Sequence, residues 1–168
     1  MSNIFSFLIK SVLLLHLGML YAQTFTNPVL PGGYPDPSIC KVGDYFYMAN
    51  SSFEYFPGIP IHKSNDLVNW NLIGHGLQRE AQCTGAVNLV DVQPNGGIYA
   101  PTLRYHDGTF YIITTAIYVD AKTKKHGGNN FIITATDPAG PWSDPVVVQG
   151  APGICLLYTS PSPRDVEE

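Results

Sequence analysis

The chain has 168 residues, 45% of them hydrophobic, 12% aromatic and 13% charged, with a formal net charge of −4. That allows one globular domain, is too apolar for disorder, and disfavours a nucleic-acid binder, since Lys and Arg total 9 against 13 Asp and Glu. Gly (16) and Pro (14) are abundant, which suits many short strands and turns and predicts an all-β fold.

Residues 1–22 form an apolar opening that runs from Val12 to Leu20, with Lys10 as its only charge. Leu20-Tyr21-Ala22 then offers a small residue before Gln23. This pattern predicts a secretory signal peptide over 1–22. A membrane anchor needs about 20 uninterrupted apolar residues, and Lys10 and His16 break this run. The mature chain is therefore expected to be secreted or periplasmic, with no membrane contact after cleavage.

From residue 23 to 154 an internal repeat organises the sequence. Pro37-Ser38-Ile39 through Phe46-Tyr47 lies over Pro101-Thr102-Leu103 through Phe110-Tyr111 at an offset of 64, the distance from Pro37 to Pro101. Each copy reads as a strand, a tight Gly-Asp or Asp-Gly turn at Asp44 or Asp107, and a second strand. Each then carries a third strand ending in a matched signature, Ser64 to Trp70 and Thr136 to Trp142. That offset is 72, the distance from Ser64 to Thr136, so the second copy is expected to hold a longer loop around Asp120 to Asn130. A further short strand follows each Trp, over 71–75 and 145–148. Four strands per unit at a period near 65 residues predict propeller blades, with each Trp packed between neighbouring sheets. A sandwich of two unrelated hairpins is the alternative. Two blades cannot close a ring, so sheet faces and edges would be left bare.

The chemistry concentrates in Gly32-Gly33-Tyr34-Pro35-Asp36-Pro37-Ser38. One carboxylate stands between two prolines at the mouth of the first inner strand, and the prolines restrict the backbone around it. Asp36 is thereby expected to face a central pocket; alternatively it is a turn former. Cys40 and Cys83 are read as two free or buried thiols, and no Cys/His spacing fits a zinc site. His62, His75, His106 and His126 are scattered and read as ordinary polar side chains. Asn50-Ser51-Ser52 is formally a glycosylation sequon. Residues 155–168 begin with Cys155 and CLLYTSPSPRD, which resembles the translation of a transposase sequencing adapter. That tail is read as an assembly artefact, and the natural protein is expected to continue past Ile154.

The runs YPDPSI, SSFEYFPGIPIHKSNDLVNWNLIGHGL, GGIYAPTLRYHDGTFYI and GPWSDP together resemble the N-terminal part of glycoside hydrolase family 43, across residues 26–154 and in order. The similarity is to its β-xylosidase and α-L-arabinofuranosidase members. It implies a five-bladed β-propeller, which at this period needs about 320 residues; this chain holds roughly the first two blades. It also implies an inverting glycosidase that cleaves terminal xylose or arabinose from plant hemicellulose oligosaccharides. Asp36 then matches the general base, which must be ionised to accept a proton. Phe53 and Tyr99 match aromatics that wall the first sugar subsite, although Trp is more usual than Tyr99. Glu54 is expected to be structural. The resemblance puts a second aspartate after Ile154, where Cys155 stands, and a general-acid glutamate further on. With one of three carboxyls present, the chain as written is expected to be inactive. No cofactor is implied, although some members hold a structural ion, calcium being the candidate, in the central channel; no ligand set for it is visible. A non-catalytic carbohydrate-binding propeller is the alternative, and a retaining fructan-type propeller a weaker one.

Overall fold

The computed structural model describes residues 25–89, 92–119, 123–124 and 126–151. The expected signal peptide at 1–22 and the tail at 155–168 lie outside the described residues. Within them, two antiparallel sheets account for the repeat.

The first sheet is a four-stranded meander in chain order, β1 (Ser38–Val42), β2 (Tyr45–Ala49), β3 (Gly58–Ser64) and β4 (Asn71–Leu77). Its first hairpin turns at Gly43-Asp44, where Gly43 supplies a φ of +58. The second sheet contains β5 (Gly97–Ile98), β6 (Thr102–His106), β7 (Thr109–Val119), β8 (His126–Ala135) and β9 (Val146–Val147). Strands β6 to β9 repeat the meander. The β6–β7 hairpin turns at Asp107 and Gly108 with φ of 43 and 77, the doubly positive pair that matches strand twist in a two-residue loop. Asp44 and Asp107 are thus turn formers, as their spacing implied.

One expectation fails in part. The segment from Asp120 to Asn130, read as a long loop, is strand from His126 onward, because β7 and β8 pair continuously from Phe110↔Ala135 to Val119↔His126. The extra residues of the second copy lengthen a hairpin. Thr114, Thr115 and Ala116 are buried, so β-branched and small residues of β7 provide the ladder on which Asn129, Asn130 and Phe131 of β8 pair.

The core lies between the sheets. Ile59, Ile61 and Leu77 from the first meet Leu103, Phe110, Ile112, Phe131, Ile133 and Trp142 from the second. Tyr47 packs edge-on to Phe110 with centroids 5.1 Å apart. Close approach needs glycine on β4: a Cβ at Gly74 would lie 2.4 Å from the Ala139 carbonyl oxygen, and one at Gly76 would lie 2.9 Å from Ile133 Cδ1. The inner strands β1 and β6 lie side by side, and Ser38 Oγ accepts a hydrogen bond from Leu103 N at 3.0 Å.

The paired tryptophans show what the repeat does. Both indoles donate to a carbonyl in their own preceding loop, Trp70 to Leu67 at 3.0 Å and Trp142 to Pro138 at 3.2 Å. Trp142 is 1% exposed between the two sheets. Trp70 stays half-buried, since among the described residues no further sheet covers its face. The expectation of inter-sheet packing therefore holds for Trp142 and not for Trp70.

Behind Trp142 a buried amide ties the sheets together. After β4 the chain makes two short 3-10 turns, Glu80–Cys83 and Gly85–Val87. Gln82 Oε1 accepts from the backbone N–H groups of Gln78 and Arg79, both at 3.0 Å. Its Nε2 donates to the Gly76 carbonyl at 3.0 Å and to the Ser143 carbonyl at 2.9 Å. Arg79 adds an exposed ion pair to Asp144 at 2.8 Å.

Candidate active site

The segment before β1 is pinned from behind by the two residues that follow β2. Asn50, fully buried, donates its Nδ2 to the Tyr34 carbonyl at 2.8 Å and to the Pro35 carbonyl at 3.2 Å. Ser51 N donates to the Pro35 carbonyl at 3.1 Å. Ser51 Oγ then donates to Asp36 Oδ2 at 2.6 Å.

Asp36 has φ of 52. A residue before proline favours extended backbone, so the prolines alone would place Asp36 elsewhere. The left-handed conformation costs on the order of 1–3 kcal/mol unless its surroundings hold it, and the Asn50 and Ser51 bonds do so. Asp36 is solvent-exposed and is not itself part of the neighbouring cleft's wall.

Beside it lies a cleft of about 530 Å³ whose walls include Tyr34, Pro35, Ser51, Phe53, Tyr55 and Asn95. Phe53 has φ of 47 and is locked by reciprocal backbone bonds with Ile98, both 2.9 Å, at the point where the first sheet's loop bridges to β5. Gly97 permits this approach, since a Cβ there would sit 2.1 Å from the Phe53 carbonyl oxygen. Tyr99 stands edge-on to Phe53 at 5.5 Å. Its N–H donates to Thr115 O at 2.9 Å, and its hydroxyl donates to Asn95 O at 2.6 Å. The Thr114 hydroxyl in turn donates to the Tyr99 carbonyl. Phe53 is therefore in the cleft wall, while Tyr99 braces Phe53 and Asn95. Glu54 also borders the cleft, half-buried.

The remaining candidates do not line this cleft. His62 is buried on β3, edge-on to Tyr34 at 4.7 Å. Burial, with the nearby His75, lowers its pKa; burial also lowers that of His75. Cys40 and Cys83 are free thiols. Burial pushes the Cys40 thiol up to about 11 against a smaller opposing effect of Arg104, and it raises that of Cys83. Such thiols are protonated at neutral pH and poor nucleophiles. Among the described residues no group of three or more His, Cys, Asp or Glu could hold a metal ion. No helix among them is long and apolar enough to cross a membrane.

Asn50 and Ser51 are the site residues that sequence reasoning missed, having read them only as a sequon. A buried asparagine whose amide is spent on two carbonyls is no glycan acceptor. A faint signal was present: two polar residues directly after the apolar strand end Tyr47-Met48-Ala49.

Comparison with known proteins identifies the fold and the family. A non-reducing end α-L-arabinofuranosidase of Bacteroides ovatus is 50% identical over 138 residues, covering 77% of this chain and 23% of the relative. A β-xylosidase of Bacillus subtilis is 47% identical over 123 residues, covering 72% and 22%. Among solved structures, a family 43 protein from Bacillus licheniformis superposes with a TM-score of 0.68 at 43% identity, covering 79% of this chain and 26% of that one. A xylan β-1,4-xylosidase from Bacillus halodurans gives 0.64 at 43% identity, covering 74% and 23%. The chain thus spans about a quarter of the length of the relatives it matches. The two sheets are two blades of the five-bladed β-propeller these structures share. With the model of glycosyl hydrolases family 43 matching residues 25–155, from the strand mouth that bears Asp36 through both blades, the chain belongs to that family.

Proposed function

We propose that this chain is the part of an inverting glycosidase that supplies the general base, in an enzyme removing terminal xylose or arabinose from hemicellulose-derived oligosaccharides. The observation that carries the reading is the anchored carboxylate of Asp36 beside a cleft walled by Phe53 and braced by Tyr99. The names of the relatives, xylosidase and arabinofuranosidase, support the substrate class.

In this reading Asp36 takes a proton from a water that attacks the anomeric carbon. A second carboxyl group on the opposite face of the sugar, roughly 6.5–9.5 Å away, protonates the departing oxygen. Phe53 presents an aromatic ring to the C–H face of the sugar, and Asn95 on the cleft's rim is left for hydroxyls. The general acid is not among the described residues. The 168-residue chain is accordingly proposed to be inactive, since a general acid alone contributes about 10²–10⁴ in rate.

Turnover of 4-nitrophenyl β-D-xylopyranoside and α-L-arabinofuranoside by the complete protein tests the activity, and NMR of the first-formed anomer tests the stereochemistry. Inversion is expected. Retention would overturn the mechanism, and binding of xylobiose without turnover would replace it with a carbohydrate-binding role. We also propose export through residues 1–22; a secreted product whose N-terminus is Gln23 is the expected result.

A further inference from the structure

Asp36 is held more firmly than a turn residue needs to be. Its backbone sits at a positive φ that the following proline opposes, and the contacts that impose it come from one place, the Asn50-Ser51 pair at the end of β2. Asn50 and the Ser51 amide fix the carbonyls on the N-terminal side of Asp36. The Ser51 hydroxyl fixes the carboxyl group itself, at the 2.6 Å expected of an O–H donor to a charged acceptor.

Ser51 is 2% exposed, so little water competes for its hydroxyl. A carboxylate is planar: once Oδ2 is bound, the direction of Oδ1 is set as well. Oδ1 has no partner among the described residues.

We infer that Ser51 is a positioning residue for the general base, its hydroxyl holding Asp36 Oδ2 so that Oδ1 is presented to the attacking water. The inference rests on the reading of Asp36 as that base. Ser51 touches neither the sugar nor the reacting atoms in this role; it removes the rotational freedom of the carboxylate before substrate arrives. Such preorganisation acts on turnover more than on ground-state binding.

The test uses the complete protein and a 4-nitrophenyl glycoside, whose leaving group needs little acid assistance. Ser51→Ala is expected to lower kcat by about ten- to a hundredfold, the loss of one hydrogen bond to a charged group, with KM changed by no more than about twofold. Ser51→Thr, which keeps the hydroxyl, should recover most of the rate. Asp36→Ala should be inactive and regain turnover with sodium azide, which attacks the anomeric carbon as nitrophenolate leaves, giving a glycosyl azide of inverted configuration.

The double variant separates positioning from structure. Azide needs no aimed carboxylate, so Asp36→Ala with Ser51→Ala should be rescued to the same rate as Asp36→Ala alone. A Ser51→Ala enzyme with unchanged kcat would overturn the inference. So would an azide-rescued rate that falls by the same factor on adding Ser51→Ala, because that is the mark of a merely structural residue. Turnover by Asp36→Ala without azide is a different failure: it would remove Asp36 as the base, whatever Ser51 does.

Discussion

Replacing Gln82 by leucine probes what holds the two blades together. The glutamine is 1% exposed, and its carboxamide serves two backbone N–H groups on its own side and the Gly76 and Ser143 carbonyls, the latter on the neighbouring blade. Leucine fills nearly the same volume but answers none of these groups. The bond to Gly76 and a longer one to the Trp142 carbonyl at 3.4 Å are fully buried, and the other three are partly so. Leaving a buried backbone group unpaired costs about 1–3 kcal/mol, and a partly solvated one less. Against this stands the better transfer of a leucine side chain, about 1–2 kcal/mol. The expected net loss is about 3 kcal/mol, a large share of a typical stability of about 5–15 kcal/mol. With a urea m-value of about 2 kcal/mol/M, the midpoint should fall by about 1.5 M at unchanged slope. Arg79→Ala is the contrast, since its ion pair with Asp144 has side chains 42% and 71% exposed, and exposed pairs contribute about 0–1 kcal/mol. Equal midpoints for Gln82→Leu and the unaltered protein would refute the view that satisfied buried polar groups join the blades.

The tryptophans offer a second test: Trp142→Ala should cost about 3–5 kcal/mol in this chain and Trp70→Ala clearly less, with the difference shrinking in the complete propeller as a further blade covers Trp70; equal losses in this chain would contradict the packing described. Gly97→Ala should raise KM in the complete enzyme and lower its melting temperature, because a Cβ at 2.1 Å from the Phe53 carbonyl forces the cleft wall to move; wild-type kinetics would show that Phe53 does not shape the site. Acidification from pH 7 to 5 should lower the urea midpoint. The unfolded histidines gain protons near pH 6.5, while burial holds His62 and His75 neutral to lower pH; His62→Phe should flatten the slope, and an unchanged slope would count against His62 as its source. Iodoacetamide at pH 8 should label Cys40 and Cys83 slowly until denaturant is added, since Cys83 is buried, Cys40 partly so, and burial keeps both thiols protonated.

Much of the architecture was legible because it is local or periodic. The hairpins turn where Gly43-Asp44 and Asp107-Gly108 place them, and the offsets of the Trp-ended loops marked the two blades, since turn chemistry and strand alternation act over a few residues. The long β7–β8 hairpin was not legible: Gly127, Gly128 and Asn129 carry loop-like composition, and only pairing with Ala116, Ile117 and Tyr118 makes them strand.

At the site, the sequence by itself singled out Asp36, through its two flanking prolines and the family resemblance, and put Phe53 and Tyr99 near it. Tertiary structure alone decided how Asp36 is held. Ser51 stands 15 residues from Asp36 along the chain, and nothing in its neighbours distinguishes its hydroxyl from that of Ser52, which instead accepts from Ile59 N. Which serine meets the carboxylate depends on the register of β1 against β2, which pairs Ser38 with Ala49 and so brings the residues just before β1 alongside those just after β2. Likewise, Gly97 and Phe53 are joined only where the blades meet. Contacts between segments distant in sequence carry no local signature, because the forces that select them arise only when the folded backbone brings those segments together.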